Sequence, residues 1–298
     1  MTYGDERLNA IGIHAQVWVP GWSEAECDQA LKATKRVGYD FIEIPLLDPS
    51  RVDGASTRKK LADYGLSASC SLGLSFDTDI SSSDPDIVQR GEALLLEALD
   101  VASTLGAHYL GGVLYSAMGK YQAPAVAGTR SQVADVLRRL ANKARERGIT
   151  IGLEPVNRYE SNLVNSARQA LALIELTEAS NIVVHLDVYH MNIEEGDLER
   201  PVLDCGDRLG YVHIGESHRG YLGTGTIDFS QFFRALARAH YSGPIAFESF
   251  SSSVISADFC SALGVWRDLW NDSEDLARQA KQFIQQLLEV SGRAVAPD

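Results

Sequence analysis

The chain is predicted to fold as one α/β domain, a (β/α)8 barrel of the TIM type over residues 1–298, with a C-terminal helical extension at about 257–290. Short β-rich runs alternate with longer amphipathic stretches throughout, the mark of repeated β-then-α units and not of separate all-β and all-α domains. Eight such units can be counted, which is the number a closed barrel needs. Four helix exits also repeat one design, Val37-Gly38-Tyr39-Asp40, Asp63-Tyr64-Gly65-Leu66, Thr104-Leu105-Gly106-Ala107 and Glu146-Arg147-Gly148-Ile149, each placing a glycine between helix and strand.

In chain order the strand candidates are residues 11–17, 41–46, 66–72, 108–114, 150–154, 182–187, 211–214 and 244–248. Helix candidates lie between them at 23–37, 51–64, 85–105, 126–147, 166–177, 198–208, 228–239 and, after a long connection, 268–289. Ser23 precedes Glu26 in capping-box spacing, which marks the first helix start. An open doubly wound sheet is the structural rival, but it normally carries a Gly-rich phosphate loop after its first strand. Here that strand exits into Trp18-Val19-Pro20-Gly21-Trp22, without a GxGxxG pattern. No Pro/Ser/Gly-rich linker divides the chain, and only the tail 291–298 reads as frayed.

Composition narrows the partners. A formal net charge of −13 argues against nucleic acid, whose affinity rests on clustered Lys and Arg. The basic clusters Arg58, Lys59, Lys60 and Arg138, Arg139, Lys143, Arg145, Arg147 fall in helix-like periodic segments and read as solvated helix faces. Cys27, Cys70, Cys205 and Cys260 show no CxxC spacing, and a chain this long needs no disulfide staples, so a reducing cytoplasm is the expected home. The N-terminus is polar and carries Asp5 and Glu6 where a signal peptide needs a basic start, and no run of about 18 apolar residues suggests a membrane span. A small neutral substrate fits best.

In a β/α barrel the chemistry sits where strands end. Glu154 closes the fifth strand, Asp187 the sixth and Glu248 the eighth, while His213 lies near the end of the seventh. Any one of these alone reads as a capped strand end. Three carboxylates converging on one mouth, however, repel strongly unless something positive sits among them, and a divalent cation with one imidazole ligand meets that need. Three oxygens and one nitrogen form a hard donor set that favours Mn²⁺ or Mg²⁺, tolerates Co²⁺ and excludes a Cys-rich zinc site. Two positions left on an octahedral ion suit the neighbouring oxygens of a hydroxy-ketone. The fifth and eighth strands are three steps apart in a ring of eight, so Glu154 and Glu248 are expected to face each other across the substrate, with Asp187 and His213 between them. A carboxylate on each face of a planar enediolate is what inversion of a stereocentre requires.

Four longer segments carry a resemblance. Gly-Leu-Glu-Pro-Val-Asn-Arg-Tyr-Glu (152–160), His-Leu-Asp-Val-Tyr-His-Met-Asn (185–192), His-Ile-Gly-Glu-Ser-His-Arg-Gly (213–220) and Gly-Thr-Gly-Thr-Ile-Asp-Phe (223–229) resemble the ketose 3-epimerases, typified by D-tagatose, D-psicose and L-ribulose 3-epimerases, within the xylose-isomerase-like barrels. The resemblance covers most of the chain. It implies that Glu154, Asp187, His213 and Glu248 bind one metal ion per subunit, usually Mn²⁺ or Co²⁺, and that Glu154 and Glu248 are the acid/base pair. It further implies that Glu160, His190 and Arg219 hold the upper oxygens of a free ketose, that Phe250 belongs to an apolar wall near the sugar's tail, and that the chain forms a homodimer or homotetramer.

Several residues admit two readings from sequence. Glu160, in a loop, is as readily a solvated or salt-bridged group, and Arg219 can equally pair with a nearby carboxylate. His185 shares the inward side of its strand with Asp187, but a buried, hydrogen-bonded histidine is expected there. Glu216 is a weak substitute ligand because of its loop placement. Trp18, Trp22 and Tyr115 either pack over a sugar ring or fill the core. Phe259, Val265, Trp266, Leu269 and Trp270 carry more apolar surface than one exposed helix needs, which suits an oligomer contact. Among functions, an aldose–ketose isomerase of the same barrel class would use the same ligands. A metal phosphodiesterase would need more histidines and a basic groove, and a non-catalytic sugar binder would have no need of the intact ligand set.

Overall fold

The computed structural model describes residues 9–295; the polar segment 1–8 and residues 296–298 of the tail lie outside them. Eight parallel strands close into one barrel in chain order. They are β1 (Ile11–His14), β2 (Phe41–Pro45), β3 (Ser67–Ser71), β4 (Tyr109–Gly111), β5 (Thr150–Leu153), β6 (Ile182–Asp187), β7 (Leu209–Ile214) and β8 (Ile245–Phe247), with β8 pairing back onto β1 through Gly12 and Ala246.

Period-two alternation decides what each strand sends inward. Ile42 and Ile44 of β2, Val184 and Leu186 of β6, and Val212 and Ile214 of β7 point outward into the large core beneath the helices. Phe41, Tyr109, Tyr211 and Ala246 point inward and form a separate cluster that plugs the barrel, with the Tyr109 and Tyr211 rings stacked 4.2 Å apart. Glycine makes room for that plug: a Cβ at Gly152 would lie 1.8 Å from the Tyr109 hydroxyl, and one at Gly12 would lie 2.2 Å from the Phe41 ring. Continuing the same alternation toward the C-terminal strand ends brings His14, Glu43, Glu154, Asp187, His213 and Glu248 to the mouth.

The helices are α1 (Glu24–Val37), α2 (Gly54–Tyr64), α3 (Pro85–Leu105), α4 (Thr129–Glu146), α5 (Ala167–Thr177), α6 (Val188–Glu194), α7 (Arg200–Cys205), α8 (Phe229–Arg238), α9 (Ala257–Leu263) and α10 (Ser273–Val295). Ser23 and Glu26 form the expected reciprocal capping box, and Gly38, Gly65 and Gly106 take left-handed conformations at the helix ends. The second helix starts three residues later than the sequence suggests, because Pro49–Arg51 forms a 3-10 turn and the Asp53 side chain accepts from the Ser56 amide at 2.9 Å. The fourth starts at Thr129 and not at 126, behind Gly128. The candidate helix at 198–208 shortens to α7 followed by a 3-10 turn at Gly206–Arg208.

The C-terminal region is two helices, not one. After the short α9, Asp272 accepts from the amides of Glu274 and Asp275 at 3.0 Å and sets the start of α10. That helix packs on α8, α1 and β8 and completes the outer ring. It runs through Ser291 to Val295, where the sequence suggested fraying. The basic clusters lie on helix faces as expected: Lys60 of α2 sits 3.1 Å from Asp28, and Arg139 of α4 reaches Glu92 at 2.6 and 2.7 Å. Exposed pairs of this kind contribute little to stability, because water and salt screen them. No helix among the described residues is long and apolar enough to cross a membrane.

Candidate active site

A cavity opens at the C-terminal ends of the strands. Glu154 is the first residue past β5 and is held by its amide donating to Gly112 O at 3.1 Å; Glu248 follows β8 and donates to Ile214 O at 3.0 Å. Asp187 ends β6 directly opposite His213 of β7 in the strand register. Its Oδ1 accepts from the Tyr189 amide at 2.8 Å and caps α6, a helix the sequence did not announce, which leaves Oδ2 facing His190 and Arg219.

These four side chains converge. The Nδ1 atom of His213 lies 3.5 Å from Glu154 Oε1 and 3.4 Å from Glu248 Oε1. Donor atoms of Asp187, His213 and Glu248 fall within 4.8 Å of one another, as do those of Glu154, Asp187 and His190, and those of Glu154, His185 and His213. Burial pushes the Asp187 carboxyl up to about 8, with Glu248 and Glu154 adding to the shift and Arg219 opposing it. Burial likewise raises Glu154, against the pull of His213. Burial also works against ionised Glu248, but His213, Arg219 and His14 outweigh it and hold that carboxyl below its usual range.

A divalent ion fits this arrangement on a specific observation. His213 Nδ1 is buried and has no hydrogen-bond partner among the described residues, while Nε2 of the same ring lies 2.7 Å from Glu43 Oε2. Burial opposes a charged His213 ring, but Glu43, Glu248 and Glu154 outweigh it and hold the imidazole protonated among them, and a divalent cation can take the place of that proton. The buried acid and histidine cluster could therefore hold a metal ion, and its oxygen-rich donors suit a hard one.

The remaining expected residues line the same cavity. His190 sits on α6, and its Nδ1 accepts from the Asn157 amide at 3.1 Å and lies 2.9 Å from Asn157 Nδ2. Burial, Arg219 and His213 hold the ring well below its usual value and hence neutral, with Nε2–H left as the donor, 3.6 Å from Asp187 Oδ2 and 4.0 Å from Glu160 Oε2. Glu160 is only 6 % exposed, which removes the solvated reading, and its Oε1 accepts from Asn157 Nδ2 at 2.8 Å. Arg219 adopts a left-handed backbone at φ 63, strained for a non-glycine residue. Its guanidinium lies 3.7 Å from the Tyr189 ring centroid and 5.0 Å from that of Phe250, and it pairs with Glu248 and, at 3.5 Å, with Asp187. Phe250 is buried edge-on against His14 and Phe259.

Other sequence readings resolve differently. Tyr115 donates to Glu154 O and Val164 O at 2.8 and 2.9 Å, and Trp22 donates to Thr57 Oγ1 at 3.2 Å. Neither these two nor Trp18 lines the cavity, so all three pack the scaffold. Glu216 turns into its own loop and accepts from the Ser217 and Gly223 amides at 2.8 and 2.9 Å. His185 is buried, but among the described residues neither ring nitrogen has a hydrogen-bond partner; it packs edge-on, 4.1 Å from the His213 ring and 4.7 Å from that of Tyr211. Of the 257–270 segment, Phe259 joins the cavity wall and Trp270 is buried, donating to Ser249 Oγ at 2.7 Å, while Trp266 is 74 % exposed.

Glu43, His14 and Asn157 belong to the site and were not singled out from sequence. Glu43 left a signal, a lone carboxylate between two outward isoleucines in Phe-Ile-Glu-Ile-Pro, which the same strand alternation turns inward. Asn157 lay inside a motif already noticed, but only the packed loop shows it bonding Glu160 and His190 together.

Comparison with known proteins points one way. A family model for the xylose isomerase-like TIM barrel matches residues 31–287. The chain is 51 % identical over 275 residues to an L-ribulose 3-epimerase of Methylomonas sp. (strain DH-1), covering 92 % of this chain and 96 % of the other. It is 49 % identical over 278 residues to a ketose 3-epimerase of Arthrobacter globiformis, covering 93 % and 96 %. Among solved structures, a D-allulose 3-epimerase from Methylomonas sp. in complex with D-allulose superposes with a TM-score of 0.92 at 50 % identity, covering 94 % and 97 %.

Proposed function

This chain belongs to the ketose 3-epimerases of the xylose isomerase-like barrels, isomerases that act on sugars, and from that premise we propose that it inverts carbon 3 of a free ketose through a planar cis-enediolate, with Glu154 and Glu248 as the acid/base pair. One observation carries this reading. Two carboxylates on strands three steps apart approach a single imidazole nitrogen at 3.5 and 3.4 Å, so two acids border one small cavity from different sides.

Glu154, Asp187, His213 and Glu248 would hold one divalent ion, Mn²⁺ before Co²⁺ or Mg²⁺, in keeping with the partnerless His213 nitrogen and the three carboxylates around it. When bound, the ion supplies positive charge beside the oxyanion that develops as the carbon-bound proton leaves. The chain's own groups do the rest. One glutamate takes the proton from one face of carbon 3, and the other delivers a proton to the opposite face. In the reverse direction they exchange roles. Neutral His190 offers Nε2–H to a sugar oxygen near the carbonyl, Arg219 offers charged donors beside it, and Glu160, raised by burial, accepts from a hydroxyl. Stacking between Tyr189 and Phe250 keeps the Arg219 guanidinium in one plane. Phe250 adds apolar wall against the sugar's carbon skeleton.

Wider readings have separate supports. A homodimer or homotetramer rests on Trp266, exposed in a segment whose other aromatic side chains are wholly or partly covered. A cytoplasmic home rests on four buried cysteines with no disulfide among them. A single domain with residues 257–290 as its helical extension rests on the packing of α10 against α8 and α1.

The deciding experiment incubates metal-stripped and Mn²⁺-restored protein with a panel of ketoses in deuterated water and locates the label. Deuterium at carbon 3, appearing only with metal, is the expected result. Label at carbon 1 or 2 would move the assignment to an aldose–ketose isomerase.

A further inference from the structure

Glu43 has no part in the chemistry above, yet it is 0 % exposed in the barrel interior and its Oε1 has no hydrogen-bond partner among the described residues. Its Oε2 is fully engaged, lying 2.7 Å from both the Tyr211 hydroxyl and His213 Nε2. Since the Tyr211 proton goes to the carboxylate, Ser69 must be the donor in the 2.8 Å contact between the Ser69 and Tyr211 hydroxyls. Strand register builds this chain of bonds: Glu43 pairs with His14 on one side and Ser69 on the other, at one level of the barrel, and Tyr211 and His213 reach it from β7. His14 Nε2, at 3.8 Å from Oε1, stands too far for a hydrogen bond.

An ionised carboxylate can only accept, so the imidazole nitrogen it faces must carry a proton. That assigns N–H to His213 Nε2 and makes Nδ1, the atom between Glu154 and Glu248, the nitrogen that gives up its proton to act as a ligand. We propose that Glu43 is a positioning residue for the metal centre: its hydrogen bond fixes the ring orientation and tautomer of His213, while Tyr211 and Ser69 hold the carboxylate in place. This rests on the metal site proposed above. A carboxylate behind a ligating histidine also raises the ligand's basicity, and loss of such a partner typically weakens metal binding about 10–100-fold. A merely structural buried acid would be replaceable by its amide with no change in metal affinity.

The test is direct titration of Mn²⁺ into metal-free wild type and Glu43→Gln, with melting temperatures of both metal-free proteins to confirm folding. A dissociation constant weakened about tenfold or more is expected, together with an altered visible spectrum of the Co²⁺-loaded variant. Nitrogen-15 NMR of Zn²⁺-loaded wild type gives a readout independent of any variant, and the proton is expected on Nε2 of His213. Equal Mn²⁺ affinity in the two proteins, or a proton on Nδ1, overturns the role of Glu43 alone. Absence of Mn²⁺ binding by wild type overturns the metal site and this role with it.

Discussion

The two halves of the barrel mouth are built from different materials. β5 to β8 and their loops supply Glu154, Glu160, His190, His213, Arg219 and Glu248, with Asp187 buried beside them and Phe250 and Phe259 as apolar wall, while β1 to β4 and their loops supply Gln16, Pro45, Leu47, Leu72, Gly73, Val113 and Met118, with His14 and Glu43 beneath them. One half is a packed set of charges whose burial is tolerable only because each has a partner or awaits one. The other offers shape and little polar contact. On the proposed function, bond-making chemistry falls to the first half, and the choice among sugars differing at their far carbons falls to the apolar wall that the second half makes together with Phe250.

The largest expected effect lies in the charged half. Glu154→Gln and Glu248→Gln should each lower kcat by about 10²–10⁴-fold, measured as ketose interconversion, with little change in melting temperature. Undiminished turnover in either variant would break the two-acid assignment. Next comes the coupling of metal to protons: with Asp187 held up to about 8 in the metal-free protein, binding must displace its proton. The rise in melting temperature produced by saturating Mn²⁺ should accordingly grow as the pH increases from 5 to 8. A rise that shrinks over that range would contradict the donor set.

Arg219→Lys keeps the charge but loses the planar fork held between Tyr189 and Phe250. A loss of about 10–100-fold in kcat/KM is expected, the value of one charged hydrogen bond. In the apolar half, Val113→Ala should change the ratio of kcat/KM between five- and six-carbon ketoses by no more than about tenfold, leaving kcat for the preferred sugar nearly intact. A collapse of kcat there would erase the division of labour between the halves. Smallest is Tyr115→Phe, which strands the Glu154 carbonyl, Val164 O keeping the Val156 amide at 3.3 Å, and should cost about 1–2 kcal/mol of stability in denaturant unfolding.

Legibility followed distance along the chain. Glu154, Asp187 and Glu248 could be read because each ends a run of apolar residues, and strand ends in a barrel converge by topology. Glu43 went unread because its meaning depends on His213 and Tyr211, 170 and 168 residues away in the chain. α6 went unread because its capping residue, Asp187, also ends a strand, and local periodicity over seven residues is too short to announce a helix.

What the sequence determined by itself was periodic or local: eight β/α units, the capping box at Ser23, the glycine helix exits, and which side chains sit at strand ends. What only the tertiary structure decided was the pairing of groups distant in the chain: the left-handed Arg219 lying over the Tyr189 and Phe250 rings, His190 oriented through Nδ1 by Asn157, and Glu43 aimed at His213. Alternation along a strand specifies which way a side chain points. What it meets there depends on closing the ring, because only closure brings residues from non-adjacent strands into contact across the barrel.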